Sequence, residues 1–86
     1  MTERRLSADW SDEAKADLRA IDRVTAMQIL ECLTRYLKTR EGNVKKLKPP
    51  RADFRLRCGD YRLFFDRRGE NAIGITKVSD RKEAYR

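Results

Sequence analysis

Residues 54–65 read FRLRCGDYRLFF, and the way this stretch pairs decides the fold. Phe54, Leu56 and Cys58 alternate with Arg55 and Arg57. Tyr61, Leu63 and Phe65 alternate with Arg62 and Phe64. Both runs show the period-two signature of a strand with one buried face. Between them lies Gly59-Asp60, a two-residue loop with glycine first, which predicts a type II′ hairpin turn. Such a loop fixes the register. Cys58 then faces Tyr61, Arg57 faces Arg62, Leu56 faces Leu63, Arg55 faces Phe64 and Phe54 faces Phe65. Paired residues share a face of the sheet. One face carries Phe54, Leu56, Cys58, Tyr61, Leu63 and Phe65, a core for helices to cover. The other carries Arg55, Arg57, Arg62 and Phe64. Arg57 opposite Arg62 is a like-charge pair, which costs stability. An anion resting between them relieves that cost, and the forked donors of guanidinium match phosphate oxygens. The other use of such a face is an open, solvated surface whose charges discourage aggregation.

Working outward, "RRLSADW" predicts a short first strand in which Leu6, Ala8 and Trp10 alternate. Ser11 is a good N-cap, with Asp12 and Glu13 in the first turn, where the helix dipole favours acids. Ala14, Leu18 and Ile21 extend a first helix over 12–21. Asp22 can cap a second helix, whose apolar stripe is Val24, Met27, Leu30, Leu33 and Leu37, widened by Ile29 and Tyr36. Lys38 and Arg40 fall in its last turns, and Gly42 is a natural stop. The whole stripe is expected to pack in the core. "NVKKLKPP" then reads as a basic loop leading out of the helices. Strands follow at 52–58, 61–66 and about 72–78. The order β-α-α-β-β-β predicts an α+β fold: a two-helix hairpin on one face of a small, mostly antiparallel four-stranded sheet. The sheet order stays open.

Size and composition narrow the function. Eighty-six residues make one domain with a modest core. No run approaches the ~20 apolar residues of a membrane span. "MTERRLSADW" lacks the apolar core of a signal peptide, so a cytoplasmic protein is expected. Cys32 and Cys58 are too few for a disulfide framework and lack CxxC spacing, so both are expected to be reduced packing residues. The sequence has no histidine, which removes most zinc sites and histidine-based catalysis. No metal and no cofactor are expected. Residues 1–42 hold eight Lys/Arg and eight Asp/Glu, while residues 43–86 hold thirteen and six. The whole net charge of +7 therefore sits in the second half, pointing to a polyanionic partner such as nucleic acid. At the C-terminus, "VSDRKEAYR" sets Arg81 and Tyr85 four apart. They share a side on a helical turn but need not in an extended tail.

These motifs resemble a known family. "KKLKPPRADFRLRCGDYRLFF" followed by "ITKVSDRKEAYR" looks like the RelE/ParE superfamily of toxins from type II toxin–antitoxin systems. That superfamily reads as a leucine within a basic loop, an aromatic–R-L-R–x-G-D-Y-R hairpin and a V-x-x-R-x-x-x-Y ending, in the order β-α-α-β-β-β. The resemblance spans nearly the whole chain, 1–86, with its specific motifs in the second half. Where many relatives carry a histidine just before the C-terminal arginine, this chain has Asp80.

The resemblance implies a metal-independent mRNA interferase that cleaves ribosome-bound mRNA through the RNA 2′-hydroxyl and so inhibits translation. It assigns catalytic roles to Arg55, Arg57, Arg62, Arg81 and Tyr85. Lys45, Lys46, Lys48 and Lys82 are expected to bind RNA, with Phe64 to stack on a base. Attack by a 2′-hydroxyl builds negative charge on phosphorus, which fixed guanidinium donors stabilise. A base must take the 2′-proton and an acid must protonate the leaving 5′-oxygen. The implied partners are a cognate acidic antitoxin, the ribosome and mRNA, with no membrane and no small-molecule substrate. The alternative is the ParE branch, a DNA gyrase inhibitor with no nuclease activity. A generic nucleic-acid-binding module would account for the charge but not for the tyrosine.

Overall fold

The computed structural model describes residues 6–48 and 53–80. Within them the chain runs β1 (Ser7–Trp10), α1 (Asp12–Arg19), α2 (Arg23–Thr39), β2 (Asn43–Lys46), β3 (Phe54–Cys58), β4 (Tyr61–Gly69) and β5 (Ala72–Asp80). The strands form one sheet in the order β1-β5-β4-β3-β2. β1 lies parallel to β5, and the other pairings are antiparallel.

The central hairpin forms as its turn dictates. All five pairs between β3 and β4 take the register that a two-residue loop sets, from Cys58↔Tyr61 to Phe54↔Phe65. Gly59 has φ 64°, and positive φ does not extend to Asp60, which is the type II′ pattern.

The sheet has five strands rather than the expected four. The extra one is β2, in a segment expected to be loop. It pairs antiparallel with β3, with Val44 opposite Leu56. Val44 is its one apolar anchor, half-buried between exposed neighbours. A short, basic edge strand carries little hydrophobic pattern, yet it suits a sheet edge that must not recruit another chain.

At the other edge, α1 takes over where β1 stops. Ser11 N donates to Ile75 O at 2.9 Å and Ser11 Oγ donates to Thr76 O at 3.1 Å. Ser11 Oγ also accepts from Ala14 N at 3.0 Å, capping α1. Val78 N donates to Asp17 Oδ2 at 3.0 Å. The helix thus satisfies backbone groups that a longer β1 would have paired. α1 ends at Arg19, two residues short of the expected boundary.

Asp22 caps α2, accepting from Thr25 N at 3.0 Å, and hydrogen bonds from the Thr25 side chain and then its backbone N–H hold the Asp22 carboxyl below the usual aspartate range. The helix closes on Arg40, which is left-handed at φ 63°, so the stop comes before Gly42. The expected core stripe of α2 divides. Ile29 and Leu33 are buried, and Cys32, Tyr36 and Leu37 pack against the core. Val24, Met27 and Leu30 instead face outward, 65%, 55% and 39% exposed. A helix over one sheet can bury one side, and the side with Ile29, Leu33 and Tyr36 meets Leu56, Leu63 and Phe65. Phe65 lies at the centre, stacked on Phe54 at 5.4 Å and tilted against Tyr36 at 5.8 Å.

Cys32 and Cys58 correct a second expectation. They are joined in a disulfide between α2 and β3, with Cα atoms 5.9 Å apart and a separation of 26 positions in sequence. Their spacing gave no sign of it, because only the packing of α2 on β3 brings them together. Among the described residues, no helix is long and apolar enough to cross a membrane.

Candidate nucleic-acid interface

The helices cover one face of the sheet, and the strand registers define the other in rows. One row runs Asn43–Arg57–Arg62–Ser79 across β2, β3, β4 and β5. The next runs Lys45–Arg55–Phe64–Lys77. Cross-strand neighbours in such rows have Cβ atoms about 4.5–5.5 Å apart. Five of the residues singled out in the sequence, Lys45, Arg55, Arg57, Arg62 and Phe64, therefore share one patch. The four on β3 and β4 are held by backbone pairing on both sides, and Lys45 by the pairing of edge strand β2 with β3.

The patch has an electrostatic imbalance. Arg55 and Arg62 are half-buried and Arg57 is exposed. Buried Arg55 Nε has no hydrogen-bond partner among the described residues. Among the described residues, no carboxylate forms an ion pair with Arg55 or Arg57. A buried donor without an acceptor costs stability, so it marks a place where one is expected to arrive. Phe64, half-buried, lies between Arg55 on one side and Lys77 on the other. A ring flanked by cations can stack on a base while the cations meet its phosphates.

The same face changes character toward the far end of β4. Asp66 faces Gly74, which faces Asp9. Arg68 Nε lies 2.5 Å from Asp66 Oδ1. The hydrogen bond to Asp66, then its charge, then that of Asp9, raise the Arg68 guanidinium above its ordinary range. Lys77 pairs with Glu13 at 3.3 Å. The cations at this end already have carboxylate partners.

Other expected residues lie elsewhere. Lys46 faces Phe54 in the register, so it stands on the helix side at the sheet edge, away from the arginines. Lys48 is exposed in the loop beyond β2, whose base is held by Leu47 N donating to Asp53 O at 3.0 Å. Tyr61 lies on the core face, half-buried. Arg81, Lys82 and Tyr85 lie outside the described residues. Two members of the first row were missed from sequence. Asn43 escaped because its segment was read as loop. Ser79, 6% exposed, escaped because the last strand was expected to end near residue 78.

A family profile described as the ParE toxin of the type II toxin–antitoxin system parDE matches residues 8–85. Among solved structures, the chain is similar to the toxin–antitoxin complex RelBE2 from Mycobacterium tuberculosis. The identity is 21%, the TM-score 0.78, and the match covers 90% of this chain and 92% of that one. It is similar to YoeB from Staphylococcus aureus, solved as a dimer, at 23% identity and TM-score 0.69, covering 87% and 95% of the two chains. It is also similar to the chromosomal ParDE toxin–antitoxin system from P. aeruginosa, at 18% identity and TM-score 0.65, covering 90% and 97%. These likenesses show the fold. No curated protein matches the sequence.

Proposed function

The chain belongs to the ParE toxin family of type II toxin–antitoxin systems, and on that premise we propose that it is an mRNA interferase acting in the cytoplasm on ribosome-bound mRNA. The whole chain, 1–86, acts as one toxin domain. The observation that carries this reading is the cluster of Arg55, Arg57 and Arg62 beside Phe64 on one sheet face, with no carboxylate partner for Arg55 or Arg57 among the described residues. In the proposed reaction the RNA 2′-oxygen attacks the adjacent phosphorus and the 5′-oxygen leaves. The charge gathered on the phosphoryl oxygens is stabilised by guanidinium donors that the strands already hold in place. Tyr85 is the proposed group that takes the 2′-proton, with Arg81 as a further clamp. Lys45, Lys48 and Lys82 hold the RNA backbone.

The family's place in toxin–antitoxin pairs also supports a cognate antitoxin for this chain. An acidic segment that folds on binding suits the outward side of α2. There Val24, Met27 and Leu30 are exposed and Arg35 and Lys38 are exposed beside them.

Induced expression followed by primer extension on cellular mRNA tests the activity. In-frame cuts in translated messages are the expected result. Tyr85→Phe removes one oxygen and keeps the ring. Because general acid–base help is worth roughly 10²–10⁴-fold, this variant is expected to slow single-turnover cleavage on programmed ribosomes by at least about a hundredfold. Near-normal cleavage by Tyr85→Phe, with impairment only in Tyr85→Ala, would make the tyrosine an anchor. The name of the matching family profile favours a second reading, a gyrase inhibitor without nuclease activity. Intact mRNA with cleaved, linearised DNA in the same cells would establish it.

A further inference from the structure

We propose that Cys32 and Cys58 form a thiol–disulfide exchange site that locks α2 onto the arginine-bearing strand β3 when a low-molecular-weight disulfide is abundant. This stands apart from the target of the toxin. The two cysteines come from different layers of the fold, and the bond between them joins a helix to a strand. Their surroundings differ. Cys58 is buried, 7% exposed, in the core beneath the sheet. Cys32 is half-buried and so the more accessible of the two, and both border a cleft lined by Gln28, Glu31, Arg35, Arg57, Asp60 and Tyr61. Two cations and two anions on that rim suit a zwitterionic peptide disulfide such as glutathione disulfide. Access decides which sulfur reacts with a solute, so Cys32 is the attacking group and Cys58 the resolving one.

The exchange balances. The Cys32 thiolate attacks one sulfur of glutathione disulfide, forming a mixed disulfide and releasing one glutathione thiolate, which takes up a proton. The Cys58 thiolate then attacks Cys32 Sγ, closing the protein disulfide and releasing a second glutathione. Two protein thiols are oxidised and one glutathione disulfide is reduced to two thiols.

The lock sits where it can bear on the arginine face. Cys32 Sγ lies 3.7 Å from the carbonyl oxygen of Arg57, so in the reduced form its S–H can donate weakly to that oxygen. Ile29, 1% exposed, packs the N-terminal half of α2 on the core, while Val24, Met27 and Leu30 on its outer side have no cover among the described residues. The covalent tie limits how far this helix can lift from β3.

The test takes the purified full chain through a series of glutathione to glutathione disulfide ratios, with alkylation under denaturing conditions, intact mass and melting curves at each. Excess glutathione disulfide is expected to protect both cysteines from alkylation, with a mass lower by two hydrogens. Excess glutathione is expected to restore both thiols. A disulfide closing a loop of this length predicts that the oxidised form melts roughly 10–20 °C above the reduced one. Cys58→Ala is expected to trap one glutathione on Cys32, whereas Cys32→Ala captures it on Cys58 far more slowly. Thiols that stay alkylatable in excess glutathione disulfide, or melting curves that coincide, would overturn the proposal. Equal trapping rates in the two variants would overturn the assignment of Cys32 as the attacking group. Should either variant fail to fold, the mass and melting of the natural chain decide.

Discussion

Two ends of one sheet face surround their arginines with different neighbours. Arg62 and Arg68 stand six residues apart on β4. Arg68 is hydrogen-bonded to Asp66 and lies in the field of Asp9. The sheet makes room for it: a Cβ on Gly74 would come within 2.5 Å of Arg68 Nε, so a side chain has been given up on β5 to let a guanidinium lie flat between two carboxylates. At the other end Arg62 faces Arg57, whose opposite neighbour on β2 is the uncharged Asn43. The chain therefore has the means to pair an arginine on this face, yet among the described residues it forms no ion pair for Arg55 or Arg57. The difference teaches that the basic end is not a by-product of composition. A like-charge pair kept on paired strands is unfavourable for folding, and a phosphate ligand would offset it.

The largest expected effect separates the two arginines. Arg62→Ala is expected to reduce toxicity and RNA cleavage by at least about a hundredfold, the usual loss on removing one preorganised donor to developing negative charge. Arg62 points away from the helices, so the melting curve should stay close to that of the natural chain. Arg68→Ala, the matched control, is expected to leave cleavage within a few-fold. Growth arrest on induction and cleavage of programmed ribosomes measure both. Equal loss in the two variants would erase the distinction between the ends, and full toxicity in Arg62→Ala would remove the basic end from the site.

A smaller effect comes from making the basic end resemble the neutral one. Asn43→Asp places a carboxylate directly across from Arg57. Opposite charges in such a pair are worth about 0.2–1 kcal/mol, which for a domain of this size is a rise in Tm of up to about 5 °C. Cleavage should fall at the same time, because Arg57 would then be engaged. Arg57→Ala is expected to share the stability gain and the loss of activity, since it relieves the like-charge pair. A clear drop in Tm for Arg57→Ala would reveal that the guanidinium supports the fold.

The two ends were not equally legible in the sequence. The basic end was, because a two-residue turn and period-two alternation are local, and together they fix which residues share a face. Ser11 and Asp22 were legible as caps for the same reason: a cap acts within three residues. The neutral end depends on β1 lying parallel to β5, a pairing across more than sixty residues that no local pattern announces. β2 stayed hidden because one valine among lysines does not make a visible alternation. The outward turn of Val24, Met27 and Leu30 stayed hidden because every member of a wide apolar stripe looks alike until the sheet chooses a side. The disulfide needed both that choice and the register of β3. Within the site, the positions of Arg55, Arg57, Arg62 and Phe64 came from the turn, while Asn43 and Ser79 required the edge strand and the full length of β5.

The smallest expected effect runs the comparison in reverse, making the neutral end resemble the basic one. Asp66→Asn keeps the size of the side chain and removes its charge, so Arg68 loses its closest anion and retains only the field of Asp9. The pair is surface-exposed, and such pairs contribute little to stability, so the melting curve should barely move. RNA affinity is the sensitive measure. One more cation available to phosphate steepens the dependence of binding on salt by at most about one counterion. The expected result is therefore slightly tighter binding at low salt, a steeper salt slope and unchanged cleavage once RNA is saturating. An unchanged slope would mean that RNA does not reach past Phe64 toward Gly74, confining the interface to the rows through Arg62 and Arg55. A rise in the single-turnover cleavage rate would mean that Arg68, once released, reaches the reacting phosphate, and the contrast between the two ends would then be one of occupancy rather than of role.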